Sequence, residues 1–184
     1  MPENTKLITF GLIESLGGVK KILEEYVEAS LSILSPDDQK LARNLLKSLV
    51  TSSGTKALTR QVEIAVDKDG KELLDALIER RLVRRVDEGQ GVYYELSHDQ
   101  LAKTVNAWIN SEEQQAKAVL EMLSQELVNF NLCIKEGEAY QGMELTKLRR
   151  VYEYLENPYL ILSRDIQKLL LYSVLIQNGY RKQK

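Results

Sequence analysis

Apolar residues in the first quarter of the 184-residue chain recur at the three- and four-residue spacing of amphipathic helices. The first stripe consists of Val19, Ile22, Leu23, Tyr26, Val27 and Leu34. A second helix is predicted after Ser35, which suits the capping position, with Pro36 in its first turn. The buried face of this second helix would consist of Leu41, Ala42, Leu45, Leu46 and Leu49. We therefore expect two consecutive helices before the loop at Thr51.

The hydrophobic period then changes. Alternation from Val62 to Val66 predicts a short strand, and helical spacing returns from Lys71 to Leu82. Two strand-like segments, Val83–Val86 and Val92–Leu96, flank an acidic connection with two glycines, which indicates a hairpin. Another amphipathic helix is predicted from His98 to Ile109. The order of helix, helix, strand, helix, hairpin and helix is typical of a winged helix, with the hairpin as the wing.

Only helical patterns follow Glu112. A long helix is predicted with one apolar stripe, formed by Ala116, Val119, Leu120, Leu123, Leu127, Phe130 and Ile134. After a break at residues 135–142, two shorter helices are expected, one over Leu145–Leu155 and one capped by Ser163. We therefore predict a mainly α fold, in which a winged-helix domain (residues 1–110) precedes an all-helical domain (residues 111–184).

The composition is that of a soluble globular protein, with 43% hydrophobic and 28% charged residues. A net charge of −2 provides no global basic field for nucleic acid. The single cysteine, Cys133, excludes an internal disulfide and is predicted to be a buried small hydrophobe. The longest apolar run, Leu169–Ile176, is too short to span a bilayer, and residues 1–6 lack a signal-peptide core. We expect a cytoplasmic protein without membrane contact.

Motifs for catalysis are missing from the sequence. The glycine-containing stretch from Gly11 to Lys20 does not match the phosphate-loop pattern Gly-x4-Gly-Lys-[Ser/Thr], and no strand leads into it. His98, the only histidine, lacks the partners of a usual zinc site, and Cys133 is predicted to lie on a different helix. We therefore expect a chain that is not an enzyme, binds no metal and holds no cofactor of its own.

A winged helix raises the question of DNA binding. The candidate recognition helix, Lys71–Arg81, mixes Lys71, Arg80 and Arg81 with Glu72, Asp75 and Glu79. Acidic side chains on that helix would oppose the phosphate backbone. The hairpin adds Arg84 and Arg85, but also Asp87 and Glu88. Binding to duplex DNA is therefore expected to be weak.

The stretch from Tyr94 to Leu101 contains Ser97-His98-Asp99 at the predicted junction of a strand and a helix. In one interpretation this is only a helix start, where Ser97 or Asp99 caps or charges the first turn and His98 is incidental. In the other, His98 lies where the helix dipole favours an anion, and its imidazole donates a hydrogen bond to a phosphate oxygen. The residues alone leave both interpretations open.

Five blocks occur in the order seen in bacterial STAND NTPases, a class of signalling ATPases related to the NACHT and NB-ARC proteins. They are Leu16-Gly17-Gly18-Val19, Leu34 to Gln39, Thr59-Arg60, Leu77 to Val83, and Leu96-Ser97-His98-Asp99-x-Leu101 followed by Trp108. The last block resembles the Met-His-Asp motif of plant resistance proteins and apoptotic activators, with Ser97 in place of the methionine. The later helical segments, Gly142–Leu155 and Leu162–Ser173, also look like those of this class.

The resemblance implies a non-catalytic regulatory module that packs on an upstream ATPase domain. In such proteins the ATPase domain binds ADP or ATP, and the motif histidine contacts the β-phosphate of ADP in the closed form. His98 and Asp99 would then be the nucleotide-sensing residues, and the partners would be the ATPase domain and other protein domains. The alternative is a stand-alone winged-helix transcriptional regulator that binds DNA or protein.

Overall fold

The computed structural model describes residues 9–60, 68–89 and 91–182. The chain divides into two compact units, Met1–Ile109 and Asn110–Lys184. Over the described ranges the protein is mainly helical, with a three-stranded antiparallel sheet in the first unit. None of the helices in these ranges is long and apolar enough to cross a membrane.

The described part of the first unit contains five helices and three strands. In chain order the elements are α1 (Phe10–Ser15), α2 (Gly18–Ser32), α3 (Pro36–Ser48), β1 (Thr59–Arg60), α4 (Lys68–Glu79), β2 (Val83–Glu88), β3 (Gly91–Leu96) and α5 (Asp99–Asn106). The strand predicted over Val62–Val66 lies outside the described residues.

The start of α3 confirms the local signals in the sequence. The Ser35 hydroxyl accepts a hydrogen bond from the Asp38 backbone N–H at 3.2 Å, and Pro36 occupies the first turn. The predicted burial of Leu41 is wrong, because this side chain is 51% exposed. The buried residues of α3 are Ala42, Leu45 and Leu46, and Leu41 lies beside the stripe that they form.

The sheet has β3 at its centre, in the order β1-β3-β2, and all pairs are antiparallel. The predicted hairpin is confirmed, with pairing from Val83 opposite Leu96 to Glu88 opposite Gly91. Tyr94 and Leu96 are buried on one face of β3. Because side chains alternate across a strand, Glu95 projects from the opposite face.

Helix α4 ends earlier than the predicted boundary at Leu82. Arg81 adopts a left-handed conformation with φ of 53°, its N–H donates to the Ile78 carbonyl, and the Leu82 N–H donates to the Leu77 carbonyl. This is the pattern of a Schellman motif, in which a contact between two apolar residues closes the helix end. Leu77 and Leu82 are both buried, so Leu82 belongs to the core without being helical.

The core of the first unit is formed by α2, α3, α4, α5 and the sheet. Its largest fully buried side chains are Leu31, Leu46, Leu49, Leu74, Leu77, Leu82, Leu96 and Leu101. Burial of each such leucine stabilises the fold by about 2 kcal/mol. Helix α5 contributes Leu101, Ala102 and Val105 to this core, which fixes its orientation in the unit.

The second unit consists of helices over its described residues. They are α6 (Ser111–Glu136), α7 (Leu145–Glu153) and α8 (Arg164–Lys182). Val119, Leu123, Met143 and Leu169 are its most deeply buried apolar side chains. The expected cap of the last helix is present, since the Ile166 N–H donates to the Ser163 hydroxyl at 3.4 Å.

Two predictions about the end of α6 are wrong. Ile134 is 60% exposed, and Cys133 is partly exposed where a buried position was expected. The apolar stripe of α6 meets the buried cluster only as far as Phe130. The last turns of this 26-residue helix therefore extend past the core, and Gly137, with φ of 74°, ends it.

Candidate functional site

The turn that joins β3 to α5 contains the Ser97-His98-Asp99 sequence. His98 is the N-cap residue of α5, with φ of −139° and ψ of 144°, and its side chain is exposed. The imidazole makes no capping hydrogen bond to the described first turn of α5. Asp99 charges the first turn, which is one of the alternatives expected from the sequence, and the N-cap is His98 and not Ser97. The Ser97 N–H instead donates to the Leu82 carbonyl at 3.0 Å, which extends the hairpin pairing by one residue.

The backbone of His98 is held on both sides by the core. Leu96 is fully buried, and Leu101 is only 2% exposed. The Leu101 N–H donates to the His98 carbonyl at 3.0 Å and closes the first turn of the helix. The turn therefore presents an exposed imidazole from a fixed backbone, at the end of α5 that carries the partial positive charge of the helix dipole.

The Asp99 carboxylate is paired with a lysine 43 positions earlier in the chain. Lys56 Nζ lies 2.9 Å from Asp99 Oδ1 and 3.7 Å from Glu95 Oε1. Arg84 Nε donates to the same Glu95 oxygen at 2.6 Å. Asp99, Lys56, Glu95 and Arg84 thus form a row of alternating charges from the helix start to the hairpin.

Sequence reasoning did not identify Lys56 or Glu95 as part of this site. A signal existed for Glu95, because the hairpin register places it opposite Arg84. No spacing rule connects Lys56 to Asp99, since their contact depends on how the segment after α3 packs against α5.

The ionisation of Asp99 follows from this pairing. The hydrogen bond from Lys56, together with its positive charge, lowers the pKa of Asp99 below the ordinary aspartate value. Asp99 is therefore a carboxylate at neutral pH. The turn combines an imidazole that can donate or accept, an ammonium donor and a carboxylate acceptor. The two donors suit a phosphate oxygen, which the carboxylate alone would repel.

The described residues hold no group of three or more His, Cys, Asp or Glu side chains that could bind a metal ion. An exposed imidazole beside one carboxylate is also too few ligands for a zinc site. The chemistry of the turn is therefore that of hydrogen bonding and charge.

The surface expected to meet DNA carries charges of both signs. The exposed side chains along α4 include Lys71, Glu72, Asp75 and Glu79. In the hairpin, Arg84 is bound to Glu95, and Arg85 Nη2 lies 2.8 Å from Asp87 Oδ1. The two arginines of the hairpin are thus engaged by carboxylates.

Comparison with known proteins gives one family. The model of the novel STAND NTPase 1 family matches residues 2–131, which is more than two thirds of the chain. Neither the curated proteins nor the solved structures compared with the chain contain a match. The family match includes the hairpin, the Ser97-His98-Asp99 turn and α5. The chain therefore belongs to the novel STAND NTPase 1 family.

Proposed function

We propose that this chain is a non-catalytic regulatory module of a STAND-type signalling ATPase, and that its first unit is a winged helix. The helices α2 to α5 and the β2–β3 hairpin supply the elements of that fold in the required order. The observation that carries the proposal is the placement of His98. His98 is the only histidine in the sequence of this chain. Its side chain projects from a rigid turn between the core residues Leu96 and Leu101.

In the proposed mechanism the first unit packs over an ATPase domain that has ADP bound. The His98 imidazole donates a hydrogen bond to a β-phosphate oxygen, and the dipole of α5 favours the same anion. ATP in that domain displaces the module and allows signalling. Such a switch needs a contact that differs between the two states, because a ligand with equal affinity for both states does not shift the equilibrium between them.

The ATPase domain supplies the hydrolysis in this proposal. The sequence of the chain contains no phosphate-loop motif, so ADP and ATP are cofactors of the partner domain. The partners are that domain, on the same or a separate polypeptide, and other protein domains. We place the module in the cytoplasm with its ATPase. The pure 184-residue chain is expected to hydrolyse ATP no faster than a buffer blank.

The test is association of the chain with its ATPase domain, measured by calorimetry with the domain loaded with ADP or with a non-hydrolysable ATP analogue. The proposal predicts tighter association in the ADP state. His98→Ala should abolish most of that difference in affinity. Gln100→Ala, which changes an exposed residue two positions later in the chain, should preserve the difference. Equal affinity for the two loaded states would contradict the proposal.

A further inference from the structure

The segment between α3 and β1 reaches the His98-Asp99 turn through the side chain of Lys56. Lys56 bridges the Asp99 carboxylate at the start of α5 and the Glu95 carboxylate of β3, at 2.9 and 3.7 Å. The Lys56 side chain is 20% exposed and that of Glu95 is 14% exposed, whereas that of Asp99 is 83% exposed. Lys56 therefore connects a solvent-facing carboxylate beside His98 to a nearly buried one in the sheet.

The backbone around Lys56 is tightly held. Lys56 forms a β-bridge with Val50, and the Ala57 N–H donates to the Leu49 carbonyl at 2.9 Å. Gly54, with φ of +77°, packs so close to α5 that an added Cβ would lie 3.1 Å from the Asn106 side chain. Asn106 is the last residue of α5 and Asp99 is its first, so the segment contacts this helix at both ends, through Gly54 at one and through Lys56 at the other.

We infer that Lys56 is a positioning residue for the Ser97-His98-Asp99 turn, here called the sensor turn. Lys56 holds Asp99 against the sheet and balances the charge of Asp99 beside His98. The inference rests on the proposed function. An unbalanced carboxylate one residue from the sensing imidazole would repel a phosphate group. Lys56 removes that repulsion and also prevents the first turn of α5 from moving away from β3.

Arg84 does not duplicate this role. Its guanidinium is bound to Glu95, which is its cross-strand partner, and its charge lowers the pKa of Asp99 less than Lys56 does. Loss of Lys56 would leave the Arg84–Glu95 pair intact and the Asp99 carboxylate without its nearest cation. The effect of changing Lys56 is therefore expected at the turn and not in the hairpin.

The first part of the test uses the 184-residue chain without nucleotide. Lys56→Met keeps the aliphatic stem and removes the charge, and Lys40→Met makes the same change at an exposed position of α3. Carbon-detected NMR titration of the Asp99 carboxyl should show that Lys56→Met raises its pKa towards the ordinary aspartate value, while Lys40→Met leaves it low. An Asp99 titration that is the same in wild type and Lys56→Met would overturn the inference.

The second part measures ADP release from the assembly of the chain with its ATPase domain. Lys56→Met should accelerate release about threefold, the size expected for a largely solvent-exposed ion pair. The acceleration should shrink when Asp99→Asn is also present, because the charge that Lys56 balances is then gone. Lys40→Met should have no effect.

The two possible failures are distinguishable. If His98→Ala accelerates ADP release and Lys56→Met does not, the role of Lys56 is wrong and the proposed function stands. If His98→Ala leaves ADP release unchanged, the proposed function fails, and the inference about the sensor turn fails with it, even when the Asp99 titration responds to Lys56→Met.

Discussion

Arg84 of β2 and Glu95 of β3 are cross-strand partners whose side chains also form an ion pair, with Arg84 Nε 2.6 Å from Glu95 Oε1. The neighbouring Arg85 donates to Asp87 within its own strand. Both arginines of the hairpin are thus engaged by carboxylates of the hairpin, which lowers the positive potential that the hairpin offers to an anionic surface.

This pairing predicts weak binding to duplex DNA. A phosphate backbone would have to compete with Glu95 and Asp87 for the two arginines, and the exposed acids of α4 would oppose its approach. Fluorescence anisotropy at physiological salt should give a dissociation constant weaker than about 1 μM, in the range of non-specific binding. Tighter, sequence-selective and salt-sensitive binding would support the alternative, a stand-alone transcriptional regulator.

The second unit should lose stability in acid through Glu126. This side chain is nearly buried and accepts hydrogen bonds from Tyr140 and Lys147, each at 2.7 Å. Burial raises the pKa of Glu126, but the two hydrogen bonds outweigh it, and the pKa lies below the ordinary glutamate value. Because the pKa is lowered by folding, the stabilisation is present above the unfolded pKa, about 4.3, and is lost as the pH falls through the folded value.

The measurement is urea unfolding of wild type and Glu126→Gln between pH 7 and pH 3. At pH 7 we expect the variant to be less stable by about 2 kcal/mol, the contribution of hydrogen bonds to a charged group. The difference should narrow as the pH falls. A constant difference across this range would show that the carboxylate charge is not what stabilises the unit.

Two glycines should respond oppositely to the same substitution. Gly137 ends α6 with φ of +74°, whereas Gly179 lies within α8. No described atom lies within 4 Å of an added Cβ at either position, so steric contact does not decide the outcome. Gly137→Ala should lower the free energy of unfolding by about 1 kcal/mol, because the backbone at this position is left-handed. Gly179→Ala should raise the free energy of unfolding by up to about 1 kcal/mol, because alanine has the higher helix propensity. Urea unfolding of the two variants checks the signs.

The faces of α6 can be tested with two leucines of the same helix. Leu123 is fully buried, and Leu132 is 50% exposed. Leu123→Ala should cost about 3 kcal/mol through the lost contacts and the cavity, and Leu132→Ala less than about 0.5 kcal/mol. Similar losses of unfolding free energy for the two variants, measured by chemical unfolding, would mean that α6 turns a different face to the core.

Local signals were the part of this fold that the sequence predicted well. Ser35 and Pro36 mark the start of α3 through their own side chains, and the hairpin follows from alternating residues around an acidic turn. The end of α4 was misplaced because Leu82 continues the apolar spacing of the helix. That spacing cannot show that Arg81 reverses the chain, since a left-handed arginine has no signature comparable to that of glycine.

Only part of the candidate site was predicted, again because the sequence shows local signals and not contacts between distant residues. His98 and Asp99 could be found because they are neighbours at a recognisable junction of strand and helix. Lys56 could not, because its contact with Asp99 joins residues 43 positions apart and depends on the packing of a loop. The sequence also could not choose between Ser97 and Asp99 as the cap, and the structure places His98 there.

The rate of ADP release from the assembly of the chain with its ATPase domain tests the central claim most directly. His98→Ala should accelerate release about tenfold, which is equivalent to a loss of about 1.4 kcal/mol of binding free energy in the ADP state. It should change the unfolding free energy of the 184-residue chain by less than about 0.5 kcal/mol, because the exposed imidazole is outside the core. Unchanged ADP release together with an unstable chain would show that His98 is a structural residue and not a nucleotide sensor.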